Sequence, residues 1–286
     1  MKVRARQKSK NLFHNEESMK YCRFKSASGP LYGEVASRNG ELWIQRLLPP
    51  FEEDAWSRLA ALLAPGTPFE PMPLNQAALL PPVVPSKIVC IGRNYKEHAA
   101  ELGNEVPKEP LLFLKPPSAL IAHNEPIQKP LISQRVDFEG ELAIIIGKRC
   151  SKIGLEEDVR QYIRGYTIVN DVTARDLQKS DGQWSRAKGF DTFCPTGPIV
   201  TDEIDPDAGI QVQTRLNGEL RQDGNTRDLI FPIAFLLRHI TAAITLYPGD
   251  LIPTGTPSGV APMQVGDTVE VTVEGIGALS NSVIVG

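Results

Sequence analysis

Three acids stand at the ends of apolar runs. In VDFEGELAIII (136–146), Glu139 and Glu141 sit two residues apart at the entrance to an aliphatic stretch, and in YTIVNDVTARD (166–176) Asp171 closes another. A β-strand has period two, so Glu139 and Glu141 point to one face, with Phe138 and Leu142 on the other. Side by side, like charges repel unless a cation or solvent lies between them. A lone ExE usually marks a solvent-facing strand end, but a third acid at a second strand end makes an oxygen-rich cluster. Hard cations such as Mg²⁺ take such ligands and keep several waters. Asp137 shares the glutamates' face only if the strand is regular that far back, and no site role is assigned to it. A second pair, His98 and Glu101 in HAAE, is spaced three apart, which on a helix places both on one face within hydrogen-bonding reach. A carboxylate beside an imidazole orients it and raises its basicity, as a general base needs. The alternative for this spacing is an ordinary exposed pair.

Composition narrows the partners. The chain has 286 residues and a formal net charge of −3, with no basic excess to bind nucleic acid. Its longest apolar runs fall well short of the roughly 18 residues of a membrane helix. The four cysteines, Cys22, Cys90, Cys150 and Cys194, form no CxxC pair, so neither a zinc site nor a redox motif is implied. Free thiols suit a reducing cytoplasm. Residues 1–18 are basic and polar without the apolar core of a secretory signal, and they read as a flexible tail, with Met19 an alternative start.

The elements that must position these groups are mostly strands. YCRFKS, LYGEVAS and ELWIQRLL predict three short strands joined by turns such as RNGE, followed by an amphipathic helix in EDAWSRLAALLAPG. A proline-rich connector ends near residue 84, which sets 19–84 apart as a small β-rich N-terminal domain and 85–286 as the main domain. KIVCIG then reads as a buried strand and NYKEHAAELG as a short helix stopped at Gly103. PLLFLKPP, ELAIIIG, YTIVNDVT, PIVT, IQVQTRLNG, DLIPTG and DTVEVTVEG read as further strands. EEDVRQYI and PIAFLLRHITAAI are the expected helices. Strands dominate, giving a mostly β, α+β architecture rather than a doubly wound one. TGTPSGV (254–260) lacks the GK[ST] ending of a phosphate loop, and GIGALSN has no βαβ unit to make it a dinucleotide site. Arg93 and Asn94, at the mouth of the short helix, are candidate ligand contacts, with helix capping the alternative for Asn94.

Taken together, VDFEGELAIIIG, YTIVNDVTARDLQ, RAKGFDTFCPTGP and LIPTGTPSGVAPMQVGDTVEV resemble the fumarylacetoacetate hydrolase family. IGRNYKEHAAELG resembles the corresponding segment of its acylpyruvase-like branch. The resemblance runs from about Lys87 to the C-terminus. It implies a mixed β-sandwich roll, a homodimer, and one Mg²⁺ or Mn²⁺ per subunit held by Glu139, Glu141 and Asp171. It implies that the segment carrying the His98–Glu101 dyad is a lid over the substrate. It places Lys188 against a substrate carbonyl, Gln178 in contact with substrate and Thr256 on a substrate carboxylate, with Arg175 and Asp176 as a structural pair beneath the site. The leading expectation is hydrolysis of a 2,4-dioxo acid such as an acylpyruvate or fumarylpyruvate. Oxaloacetate decarboxylation or enol–keto tautomerisation would use the same residues. An isomerase or decarboxylase of aromatic degradation, a sugar-acid dehydratase and a catalytically silent binding protein are the further alternatives.

Overall fold

The computed structural model describes residues 19–63, 65–66, 68–101 and 106–286. The expected tail, residues 1–18, and the expected helix stop at Gly103 lie outside them. The architecture is mostly β, built on a twelve-stranded mixed sheet. At its centre lies strand Gly140–Ile146, between Ile163–Asn170 and Leu251–Pro253, both antiparallel to it. Every residue of Gly140–Ile146 is buried. Leu142, Ile144 and Ile146 face one core cluster, and Ala143 and Ile145 another. Cover on both faces explains why this strand reads as an unbroken aliphatic run instead of an alternating one.

A five-stranded sheet covers the first face through Val212, Val271, Val273 and Leu279, and helix Ile233–Ala243 packs Leu236, Leu237 and Ile240 into the same cluster. The two sheets approach closely at Gly140. A Cβ there would lie 2.2 Å from Thr214 Oγ1 and 2.8 Å from Val271 Cγ1. The residue between the two glutamates is therefore glycine for a steric reason: any side chain would push the second sheet off the site.

The sequence reading sets residues 19–84 apart as a small domain. In the structure its strands extend the central sheet, because Lys20–Ser26 pairs with Cys194–Thr201 through Lys20↔Thr201 and Tyr21↔Val200. The join is reinforced by an ion pair of Arg164 with Glu53. Inside the segment, buried Asp54 accepts from Arg23 Nε at 2.7 Å and from Ser57 Oγ at 2.6 Å. The RNGE turn forms as its residues demand, with Asn39 and Gly40 both at positive φ. The helix expected in EEDVRQYI is instead a 3₁₀ turn over Val159–Tyr162, capped by Asp158 and cut short by strand Ile163–Asn170. Two helices in a polar stretch with no apolar period, Arg175–Asp181 and Ser185–Lys188, have no counterpart in the sequence reading. The first is anchored by tertiary contacts: Asp176 accepts from Ser133 Oγ at 2.6 Å and from Gln134 N at 2.9 Å. Among the described residues no helix is long and apolar enough to cross a membrane.

Candidate active site

Glu139 lies just before the central strand and Glu141 just inside it, while Asp171 follows the last residue of its antiparallel neighbour. The backbone brings the two segments together: Asp171 N donates to Glu139 O at 2.8 Å, and Glu139 N donates to Asn170 Oδ1 at 2.9 Å. All three carboxylates are buried, and one oxygen from each lies within 4.8 Å of the others. The donor set fits a hard divalent cation. Glu141 supplies the physical test. Burial, then the neighbouring Asp171 and Glu139, push its carboxyl well above the usual range. Gly255 N donates to its Oε2 at 2.7 Å. A buried carboxylate opposed by two others is what a bound cation would offset.

Three cationic side chains bracket the cluster. Lys188 Nζ donates to Glu139 Oε2 at 2.7 Å and also to Asp171 Oδ2. It lies 4.7 Å from the centroid of the Phe113 ring. Burial opposes its charge, but Asp171 and Glu139 outweigh that and raise its pKa. Lys115 Nζ, almost fully buried, donates to Asp171 Oδ1 at 2.5 Å and to Val172 O at 3.1 Å. Arg175 pairs with Glu139, donates to Asp137 Oδ2 at 2.9 Å, and reaches Gln178 Oε1 at 3.1 Å. Burial works against ionised Glu139, yet Arg175 and Lys188 hold its carboxyl well below the ordinary range.

His98 closes the cavity from helix Lys96–Glu101. Its Nδ1 lies 3.4 Å from Glu101 Oε2, and Glu101 in turn accepts from Gly259 N at 3.1 and 3.2 Å. Glu97 accepts from Ser258 Oγ at 3.3 Å, a second tie between this helix and the TGTPSGV turn. Burial lowers the His98 pKa, with Glu139 and Glu101 acting against it. Burial thus favours the neutral imidazole, the form that can take a proton. The cavity, about 340 Å³, is lined by His98, Glu139, Glu141, Lys188, Gln178 and Thr256 together with Arg93, Arg175 and Lys179. Phe113 and Trp184, at 5.2 Å between ring centroids, form an aromatic wall with Ile91 beside them.

With this geometry in place, the comparisons are informative. Residues 87–284 match the family model for the fumarylacetoacetate (FAA) hydrolase C-terminal domain. The chain belongs to the fumarylacetoacetate hydrolase family. An oxaloacetate tautomerase of Bacillus subtilis is 42% identical over 224 residues, covering 73% of this chain and 74% of that protein. Two crystal structures of family members are each 40% identical to the chain. A 2-hydroxyhepta-2,4-diene-1,7-dioate isomerase from Mycobacterium marinum has a TM-score of 0.79, covering 93% of this chain and 98% of that one. A 5-carboxymethyl-2-hydroxymuconate delta-isomerase from Mycobacterium smegmatis has a TM-score of 0.80, covering 94% and 99%.

Within this family fold, three sequence assignments change. Asn94 does not line the cavity. It is fully buried, its Nδ2 donates to Phe231 O at 3.2 Å and Thr254 O at 2.8 Å, and its Oδ1 accepts from Phe231 N at 2.8 Å. Its amide is consumed in pinning the turn that carries Gly255. Arg175 and Asp176 are not a pair: consecutive helical residues diverge, Arg175 toward the glutamates and Asp176 toward Ser133. Thr256 lines the cavity, but its hydroxyl donates to Gly140 O at 2.9 Å and accepts from Gln222 Nε2 at 2.8 Å, which fixes the turn over the glutamates. Lys115 and Gln222 escaped the sequence reading. The lysine in LLFLK was the available signal, a charge at the end of an apolar strand.

Two substitutions test the bracketing cations. Lys188→Met keeps the stem and removes the ammonium; kcat should fall by roughly 10²-fold or more, and an unchanged kcat at saturation would reduce Lys188 to a structural ion pair. Lys115→Met strips a buried carboxylate of a partner and should destabilise the fold by about 3 kcal/mol, read as a lower Tm. An unaltered melting curve would mean that Lys188 alone satisfies Asp171.

Proposed function

We propose that the protein is a divalent-metal-dependent enzyme of small 2-oxo acids whose reaction is the enol–keto tautomerisation of oxaloacetate. The observation that carries this reading is an imidazole, its Nδ1 set against Glu101, lining the same cavity as Glu139 and Glu141, two of three clustered acids suited to one cation. The tautomerase and isomerase names of its relatives support it. Mg²⁺ or Mn²⁺ on Glu139, Glu141 and Asp171 would supply Lewis-acid polarisation of a bound 2-oxo group.

The chain's own residues do the rest. In ketonisation neutral His98 Nε2 takes the enol O–H proton and returns it to C3, and the reverse direction runs the same transfer backwards; Nε2 is the ring nitrogen available, since Nδ1 faces Glu101. Lys188 offers its ammonium to the C2 oxygen, where negative charge develops. Arg175 holds Gln178 and Glu139 in place from below. Helix Lys96–Glu101, tied to the 254–260 turn, keeps water from the site.

Hydrolysis of an acylpyruvate or fumarylpyruvate is the second reading, favoured by the same pairing of buried His98 with Glu101, which suits activation of a water. We also propose a homodimer, checked by light scattering, and a cytoplasmic location, supported by four free, buried cysteines.

The deciding experiment follows the ultraviolet absorbance of enol-oxaloacetate with purified protein and Mg²⁺ or Mn²⁺, beside acetylpyruvate and fumarylpyruvate cleavage. Accelerated ketonisation that stops on chelation supports the tautomerase. Cleavage of the dioxo acids without accelerated ketonisation replaces it with the hydrolase.

A further inference from the structure

The cavity holds more positive charge than its carboxylates require. Four of its lining side chains are cationic: Arg93, Arg175, Lys179 and Lys188. Arg175 is paired with Glu139 and Asp137, and Lys188 with Glu139 and Asp171. Among the described residues, Arg93 and Lys179 have no acidic or hydrogen-bonding partner. They come from different elements. Arg93 follows strand Ile88–Gly92 directly, held at a φ of 58°, and is half-buried; Lys179 is exposed on helix Arg175–Asp181. A non-glycine residue in the left-handed region carries a conformational cost, and here it stands where Arg93 lines the cavity.

A 2-oxo acid with its oxo-carboxylate end at the three acids must direct its other end elsewhere in this space. Among the lining, Phe113, Trp184 and Ile91 offer it apolar surface, and Arg93 and Lys179 offer two cations without a partner among the described residues. A methyl or alkyl end there leaves both charges without a counter-ion, whereas a carboxylate makes charge-assisted hydrogen bonds with both.

We infer that Arg93 and Lys179 form a distal anion subsite that selects 2-oxo dicarboxylates over 2-oxo monocarboxylates. This deepens the function proposed above and rests on it for the placing of the oxo-carboxylate end. Lys179 is exposed, so its share is modest and screened by salt, and half-buried Arg93 contributes more.

The test uses a matched pair that differs only at the distal end, 2-oxoglutarate and 2-oxopentanoate, titrated calorimetrically into the Mg²⁺-loaded protein. The dianion should bind roughly 10-fold more tightly at low salt, with the advantage shrinking as salt rises. In the Arg93→Gln/Lys179→Ala double variant the two affinities should come within about two-fold of each other, the monoanion's being unchanged. Oxalate binding to the same samples reports that the fold and the loaded site persist. Lys179→Ala alone, on an exposed helical position, should narrow the ratio part-way, so the inference stays testable if Arg93→Gln does not fold. Equal binding of the two acids by wild type, or an undiminished ratio in the variants, overturns the subsite. A protein that prefers the dianion yet leaves the enol of oxaloacetate untouched keeps the subsite and loses the tautomerase reading.

Discussion

Glu141→Gln should abolish turnover, by about 10³-fold or more, while leaving the protein without added metal as stable as wild type or more so. Glutamine preserves the volume and can still accept from Gly255 N, the contact that Glu141 makes at 2.7 Å. What it removes is a buried negative charge pressed against Asp171 and Glu139. Burial and those neighbours raise the carboxyl, so the folded chain binds its proton more tightly than the unfolded chain does. By linkage, stability then declines as pH rises from the ordinary carboxyl range toward the raised value. The difference between wild type and variant isolates this group, because Glu139, which is shifted the other way, is common to both. Mn²⁺ should raise the Tm of the wild type and leave that of the variant unmoved. If Glu141→Gln retains both metal affinity and activity, the three acids are not the metal ligands.

His98→Ala should cost about 10²- to 10⁴-fold in kcat for proton transfer at C3, with Glu101→Gln acting in the same direction but more mildly. The milder effect follows from geometry: the imidazole stays, and only the carboxylate 3.4 Å from Nδ1 is lost. The active form is the neutral ring. Burial lowers its pKa below the ordinary 6.5, despite Glu139 and Glu101, so the neutral form persists to lower pH than for an exposed histidine. The kcat profile should rise with pH through that lowered value and be flat above it. An acid limb centred above 6.5 would contradict the burial argument. A bound cation nearby moves the limb further in the same direction. Any metal-promoted decarboxylation of oxaloacetate needs no such base, so His98→Ala should reduce tautomerisation, and acylpyruvate hydrolysis if present, more than decarboxylation. An equal fall in all of them would leave helix Lys96–Glu101 as a cover with no part in the chemistry.

The site was legible wherever a local rule governs it. Helical spacing sets His98 against Glu101, and that contact exists; Glu139 and Glu141, expected together, bring ligand oxygens within 4.8 Å of each other although Glu139 stands just before the strand. The long-range partners were not legible. Lys115 meets Asp171 across 56 residues, and Asn94 meets Phe231 across 137. Neither spacing has a periodicity that betrays it. Asn94 is instructive: a polar residue at a helix mouth looks like a ligand contact, and only the buried turn around it shows that its amide is already used.

The same division holds for the whole chain. The sequence by itself determined a strand-rich domain, because aliphatic runs bounded by glycine and proline leave few other conformations, and it determined which acids stand at strand ends. Tertiary structure alone decided that the N-terminal hairpins join the central sheet, since Lys20–Ser26 finds its partner at Cys194–Thr201, far along the chain. It also decided the charge of the site. A glutamate's type says nothing of whether it will be held ionised by Arg175 and Lys188, as Glu139 is, or pressed toward its proton by two like neighbours, as Glu141 is. Those opposite outcomes for residues two apart arise from the side chains that other elements bring within a few ångströms, in an interior too dry to screen them.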